Sequence, residues 1–140
     1  MAASARPGSR NTAAERLARV ARRVAVWEGA GENHHLEVTL LAPAAMRRLN
    51  RRATGRRGLT DVIAYALPQP DGSVRGDIYI CPAVAALQEG GKSSDEELIR
   101  LAVHGALHVL GYDHSDGPGR TRGAMWRRQE RYVRRLTRAR

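Results

Sequence analysis

The segment SDEELIRLAVHGALHVLG, from Ser94 to Gly111, constrains the fold most, because residues that start and stop a helix bound it at both ends. Ser94 with Glu97 three residues later makes a capping box, in which each side chain accepts a hydrogen bond from a backbone N–H that has no partner within the helix. Gly111 supplies the left-handed residue on which helices commonly end. The run between them predicts a helix of about four turns.

The other elements arrange themselves around it. Residues 12–28 predict a helix with Leu17, Ala18, Ala21, Val24 and Ala25 on one face, closed by GAGEN. HLEVTLL alternates, with Leu36, Val38 and Leu40 on one side and Glu37 and Thr39 on the other, which is the pattern of a strand. APAAMRRLNRRA, with Pro43 near its start, predicts a short basic helix. LTDVIAYAL and VRGDIYICP read as two further strands, paired as a hairpin through PQPDG. A short helix is expected over 82–89, and a last one over 118–137 with Met125, Tyr132, Val133 and Leu136 buried and arginine elsewhere. This order predicts an α+β fold, a small mixed sheet of about three to four strands with helices mainly on one face. The 140 residues suit one domain, 1–140, with 1–11 expected to be disordered. Strand order is not encoded in these patterns.

Cys81 is the only cysteine, so no intrachain disulfide forms and a reducing, cytoplasmic setting is expected. The N-terminus lacks an apolar targeting core, and no run approaches the roughly 18 apolar residues of a membrane span, so no membrane partner is expected. The Ala- and Arg-rich start also reads like an organellar transit peptide, against which stand Glu15, Glu28 and Glu32. The net charge of +10 favours a polyanionic partner, nucleic acid first. Only Lys92 is lysine among 24 basic residues, a bias that composition alone produces, but the distribution argues further. Six arginines between Arg47 and Arg57 have no acid among them, and nine from Arg120 to Arg140 face only Glu130. Solvated helix faces usually mix both signs, so these segments suit phosphates.

His104 and His108 project from one helix face a turn apart, and His114 follows the reversal at Gly111. Three neutral imidazoles suit one zinc ion and leave a fourth position for water, an open site of hydrolytic type at the end of the long helix. Asp113 or Asp116 is placed to accept the second N–H of a ligand, or simply to shape the turn. Histidines near a helix C-terminus also offset its dipole, but three at these spacings ask for more. Gly105, in mid-helix, costs about 1 kcal/mol against alanine, so substrate or a neighbouring strand is expected to use the missing side chain. The spacing H-x-x-x-H-x-x-G-x-x-H is that of the metzincin peptidases, yet Gly105 stands where they carry the glutamate base. His34 and His35, adjacent on a strand, point to opposite faces, and neither is expected to join the site.

With these residues in hand, the chain resembles the YbeY family of metal-dependent single-strand endoribonucleases of ribosomal RNA maturation and ribosome quality control. HGALHVLGYDH matches the family signature H-G-x-L-H-L-x-G-Y-D-H at nearly every position; GDIYIC and TDVIAYALP are similar to two further family segments. The resemblance runs from about Leu36 to His114 in order and spacing. It implies zinc on His104, His108 and His114, zinc-bound water in catalysis, and single-stranded RNA as substrate, with small-subunit rRNA 3′-end processing and ribosome or small-subunit assembly proteins as the setting. The family pattern departs after Asn50, where Ala53 and Thr54 replace an aromatic and an arginine that handles phosphate, and Arg57 and Leu59 replace Asp and Pro. Arg56 or Arg57 is expected to take over that phosphate contact. The family also opens with a strand absent from MAASARPGSRN, so the sheet is expected to have one strand fewer or an unusual edge. The alternatives are an RNA-binding ribosome-assembly factor with structural zinc and little catalytic activity, and, further off, a metzincin-like peptidase.

Overall fold

The structure is a computed structural model that describes residues 12–30, 34–55, 58–88, 90, 94–112 and 123–138; the start expected to be disordered, 1–11, lies outside them. Its elements are α1 (Ala13–Trp27), β1 (His35–Leu40), α2 (Pro43–Thr54), β2 (Val62–Pro68), β3 (Val74–Ile80), α3 (Pro82–Gln88), α4 (Asp95–Val109) and α5 (Ala124–Arg138). Residues 118–122, expected within the last helix, lie outside the described residues.

β1 and β3 bury alternate residues, and the hairpin forms where turn chemistry put it. Asp71 accepts from the Ser73 backbone N–H at 2.9 Å and from its hydroxyl at 2.6 Å, while Gly72 takes φ 90°. The described residues form a three-stranded mixed sheet in the order β1-β3-β2, with β1 parallel and β2 antiparallel to the central β3. Ile78 pairs with Val38 on one side and Ala64 on the other, so Gly76, Ile78 and Ile80 form the middle stripe of one sheet face. That face carries the main core, shared with α1, α4 and α5. The opposite face holds a smaller cluster, in which Met46, Cys81 and Val84 pack with Ile63 and Tyr79.

α4 lies unusually close to β3. A Cβ on Gly105 would stand 2.6 Å from Ile78 Cγ2, and one on Gly76 would stand 2.5 Å from Val109 Cγ1. Helix and strand therefore each give up a side chain to receive the other's branched residue. Of the two uses expected for the gap at Gly105, the neighbouring strand is the one observed: Ile78 fills it, and no room is left there for substrate. α4 begins at the predicted cap, with Ser94 Oγ accepting from the Glu97 N–H at 3.0 Å, while the Glu97 carboxylate accepts from Arg100 at 2.8 Å. It ends in a Schellman turn, with Tyr112 N bonded to Leu107 O and Gly111 N to His108 O, both at 3.0 Å.

The C-terminus of α1 is tied to α5 by Glu28, whose side chain is 8% exposed. It accepts from the Tyr112 hydroxyl at 2.7 Å, from Arg128 at 3.1 Å and from the Tyr132 hydroxyl. Burial pushes this carboxyl up, but the hydrogen bonds from Tyr132 and Tyr112, together with the Arg128 charge, outweigh it and hold the group below its ordinary 4.5.

Two predictions follow from this packing. Helix propensity alone says that Gly105→Ala stabilises by about 1 kcal/mol. Overpacking against Ile78 reverses the sign, and we expect a net loss of about 1–2 kcal/mol in urea denaturation, partly relieved in an Ile78→Ala background. A gain in stability would show that Gly105 and Ile78 do not pack closely. Glu28→Gln should cost about 2 kcal/mol at neutral pH. Because folding lowers the Glu28 carboxyl, its contribution is complete above 4.5 and vanishes as pH falls through the lowered value, so the two proteins should converge in acid. Equal stability at neutral pH would refute the role of Glu28.

Candidate metal centre and cleft

Helical periodicity puts His104 and His108 on one face of α4, half-buried, with ring centroids 4.7 Å apart and planes at 75°. The Schellman turn then releases the chain at Tyr112, two residues before His114. His114, Asp113, Asp116, Arg56 and Arg57 lie outside the described residues, so the structure brings together only the first two of the predicted ligands. Among the described residues no group of three or more His, Cys, Asp or Glu is placed to hold a metal ion, and His34 and His35 do not join the pair.

Two imidazoles a turn apart fit a shared ion, and a further contact supports that fit. His104 Nδ1 lies 2.7 Å from Oε1 of Gln129 on α5, which engages one ring nitrogen in the way that outer groups orient metal-ligating histidines.

His104 opens onto a cleft of about 460 Å³ between the start of β2, one side of α4 and the first turns of α5. Thr60 and Asp61 line it from β2's approach and Trp126 from α5. The Asn50 side-chain amide donates to the Gly58 carbonyl at 3.3 Å and so ties α2 to the residue two before Thr60. Thr54, at the position of the family arginine, bonds its hydroxyl to the Asn50 carbonyl at 2.8 Å and to the Asn50 side-chain oxygen at 3.1 Å.

Arg100 also lines the cleft, but carboxylates surround its guanidinium. It donates to Glu130 at 2.8 and 3.0 Å, to Glu97 at 2.8 Å and to Glu96 at 3.2 Å. Those bonds, from Glu130 above all, outweigh burial and hold Arg100 firmly protonated. For Glu130, burial raises the carboxyl, and the bonds from Arg100 and Gln129 more than reverse that. An arginine so fully used by its own chain is poorly placed to take the phosphate contact of the missing family arginine.

The sequence reading did not single out Gln129, Trp126 or Arg100. Gln129 had a readable signal: it lies four residues after Met125 and four before Val133, within the buried stripe of α5, where an amide needs a partner. Trp126, 43% exposed, and Arg100 had none, because only the packing of α5 on α4 brings them beside His104.

A mixed three-stranded sheet crossed by a helix that carries a histidine pair beside a cleft defines a small α+β class with a candidate metal centre. The family model described as Endoribonuclease YbeY matches residues 4–137, and the chain belongs to the YbeY family. Endoribonuclease YbeY of Micrococcus luteus is 36% identical over 127 residues, 84% of this chain and 80% of that protein. The Moorella thermoacetica protein of the same name is 39% identical over 116 residues, 74% of each chain. That of Frankia casuarinae is 38% identical over 114 residues, 70% of this chain and 55% of that protein. The chain thus spans between about half and two-thirds of the length of several curated relatives. The solution structure of a Thermotoga maritima protein is similar, with a TM-score of 0.56 and 26% identity, covering 87% of this chain and 79% of that one.

Proposed function

We propose that this chain is a zinc-dependent, single-strand-specific endoribonuclease of rRNA maturation. It acts on the 3′ end of small-subunit rRNA and in ribosome quality control, in the cytoplasm and beside small-subunit assembly proteins. The observation that carries this reading is the His104–His108 pair, opening through His104 onto a cleft in a chain of the YbeY family. No described helix is long and apolar enough to cross a membrane.

His104, His108 and His114 hold the ion in this reading, with Asp113 and Asp116 as supports of the ligand loop. When bound there, zinc supplies Lewis acidity at the phosphoryl oxygen and acidifies water. The chain's own residues bind and orient the RNA. Arg47, Arg48, Arg51 and Arg52 are exposed on α2, and Arg131, Arg134 and Arg138 on α5, two basic helix faces each suited to phosphodiesters. Arg56, which follows Gly55 in the sequence, takes the phosphate contact of the lost family arginine in this reading. Trp126 offers a π-face at the cleft on which an unpaired base stacks, which favours single strands because paired bases hide their faces. A peptidase is disfavoured, since the position after His104 is glycine packed on Ile78 and holds no carboxylate base.

Thr54 favours a second reading, an RNA-binding assembly factor with structural zinc and little turnover. Thr54 is exposed, so arginine fits there without repacking.

One set of proteins tests both. Wild type should carry zinc and cleave single-stranded RNA, and His108→Ala should lose both; equal cleavage with metal retained would sink the site. Thr54→Arg should raise cleavage severalfold if the enzyme reading holds, whereas salt-sensitive binding without cleavage in both proteins would favour the assembly factor. Trp126→Ala should weaken binding of a single-stranded oligonucleotide by about 1–3 kcal/mol, read by anisotropy, and leave zinc content unchanged. Unchanged affinity would remove Trp126 from the binding surface.

A further inference from the structure

We infer that Arg100, Glu130 and Gln129 form a relay that sets the tautomer of His104, placing its proton on Nδ1 and its lone pair on Nε2. The inference deepens the metal reading and rests on it for its consequence, that Nε2 is the ligating atom.

The argument follows donors and acceptors from one end. Arg100 has only N–H groups to offer, and two of them reach Glu130, at 2.8 and 3.0 Å. A carboxylate held in that fork accepts hydrogen bonds and cannot donate them. Gln129 lies 3.0 Å from the same carboxylate, so its NH₂ must point toward Glu130. Its carbonyl oxygen is then turned to His104, at 2.7 Å from Nδ1. An amide oxygen cannot donate, so Nδ1 must carry the hydrogen. Each group leaves the next only one orientation.

The setting makes this relay durable. Gln129 is 6% exposed, so water cannot readily replace its amide, and an unmet Nδ1–H there would be costly. Imidazole side chains in water favour the opposite tautomer, with the proton on Nε2. The protein therefore reverses an intrinsic preference, and it does so from α5, outside the histidine motif. Arg100 is one turn before His104 on α4, so the relay leaves that helix, passes through two adjacent residues of α5 and returns. Gln129, Glu130 and Arg100 are positioning residues, acting on the candidate ligand without touching substrate.

The test uses the full chain with nitrogen-15-labelled histidine, in metal-free form and at a pH where the imidazoles are neutral. Long-range proton–nitrogen NMR should show His104 as the Nδ1–H tautomer. Gln129→Leu, close in size but without an acceptor, should abolish that preference and weaken zinc binding by about 10–100-fold in chelator competition. Glu130→Gln frees the Gln129 amide to turn and should weaken the preference by less, with the fold intact. An Nε2–H tautomer in the wild type overturns the relay whatever the variants do. So does a folded Gln129→Leu protein that keeps both the tautomer and a zinc affinity within twofold. If Gln129→Leu does not fold, the wild-type tautomer and the Glu130→Gln protein decide the question. A wild type with the Nδ1–H tautomer that binds no zinc would sink the metal reading and leave the relay standing, so the two failures are distinguishable.

Discussion

The structure depends on how closely α4 approaches the central strand. Protein interiors tolerate neither overlap nor voids, so a helix settles at the depth its contacting side chains allow. Here Gly105 admits Ile78 from the strand and Gly76 admits Val109 from the helix, and this reciprocal exchange lowers α4 onto β3. Because α4 carries His104 and His108, that depth also decides where the histidines stand relative to the start of β2. A side chain at either glycine would lift the helix and move the candidate site with it.

A second constraint is electrostatic. The chain has 24 basic residues against 14 acids, and several of the acids are used in places where they fasten helices. Glu28 ties α1 to Tyr112 and to Arg128 and Tyr132 on α5, and Glu130 ties α5 to Arg100 on α4. Fastened this way, those carboxylates are taken up in the packing between helices, while arginines stand exposed on α2 and α5. One charge imbalance thus does two things: acids such as Glu28 and Glu130 fasten helices together, and the surplus of arginine leaves exposed basic faces on α2 and α5 suited to a polyanion.

Much of the fold was legible because its signals are local. Ser94 and Gly111 bound α4, the alternation from His35 to Leu40 marks β1, and Asp71 and Gly72 mark the hairpin turn; each works through neighbours a few residues away. The histidine pair was legible for the same reason, since four residues of helix bring the two rings to one face. The spacing at Gly105 was readable as a gap, but not its occupant. Likewise the sequence marked the loss of an arginine at Thr54, but not that Arg100, in the cleft, is already occupied by carboxylates.

By itself, then, the sequence determined the elements, the spacing of the two histidines on their helix and the excess of positive charge, because short-range geometry and composition set all three. Only the tertiary structure decided that β3 is the central strand, that Ile78 fills the space at Gly105, and that Gln129 stands against His104. The pairing of β1 with β3, the Gly105–Ile78 contact and the His104–Gln129 contact join residues about 25 positions apart or more, made when apolar faces find the one arrangement that packs without overlap and pairs the polar groups they bury.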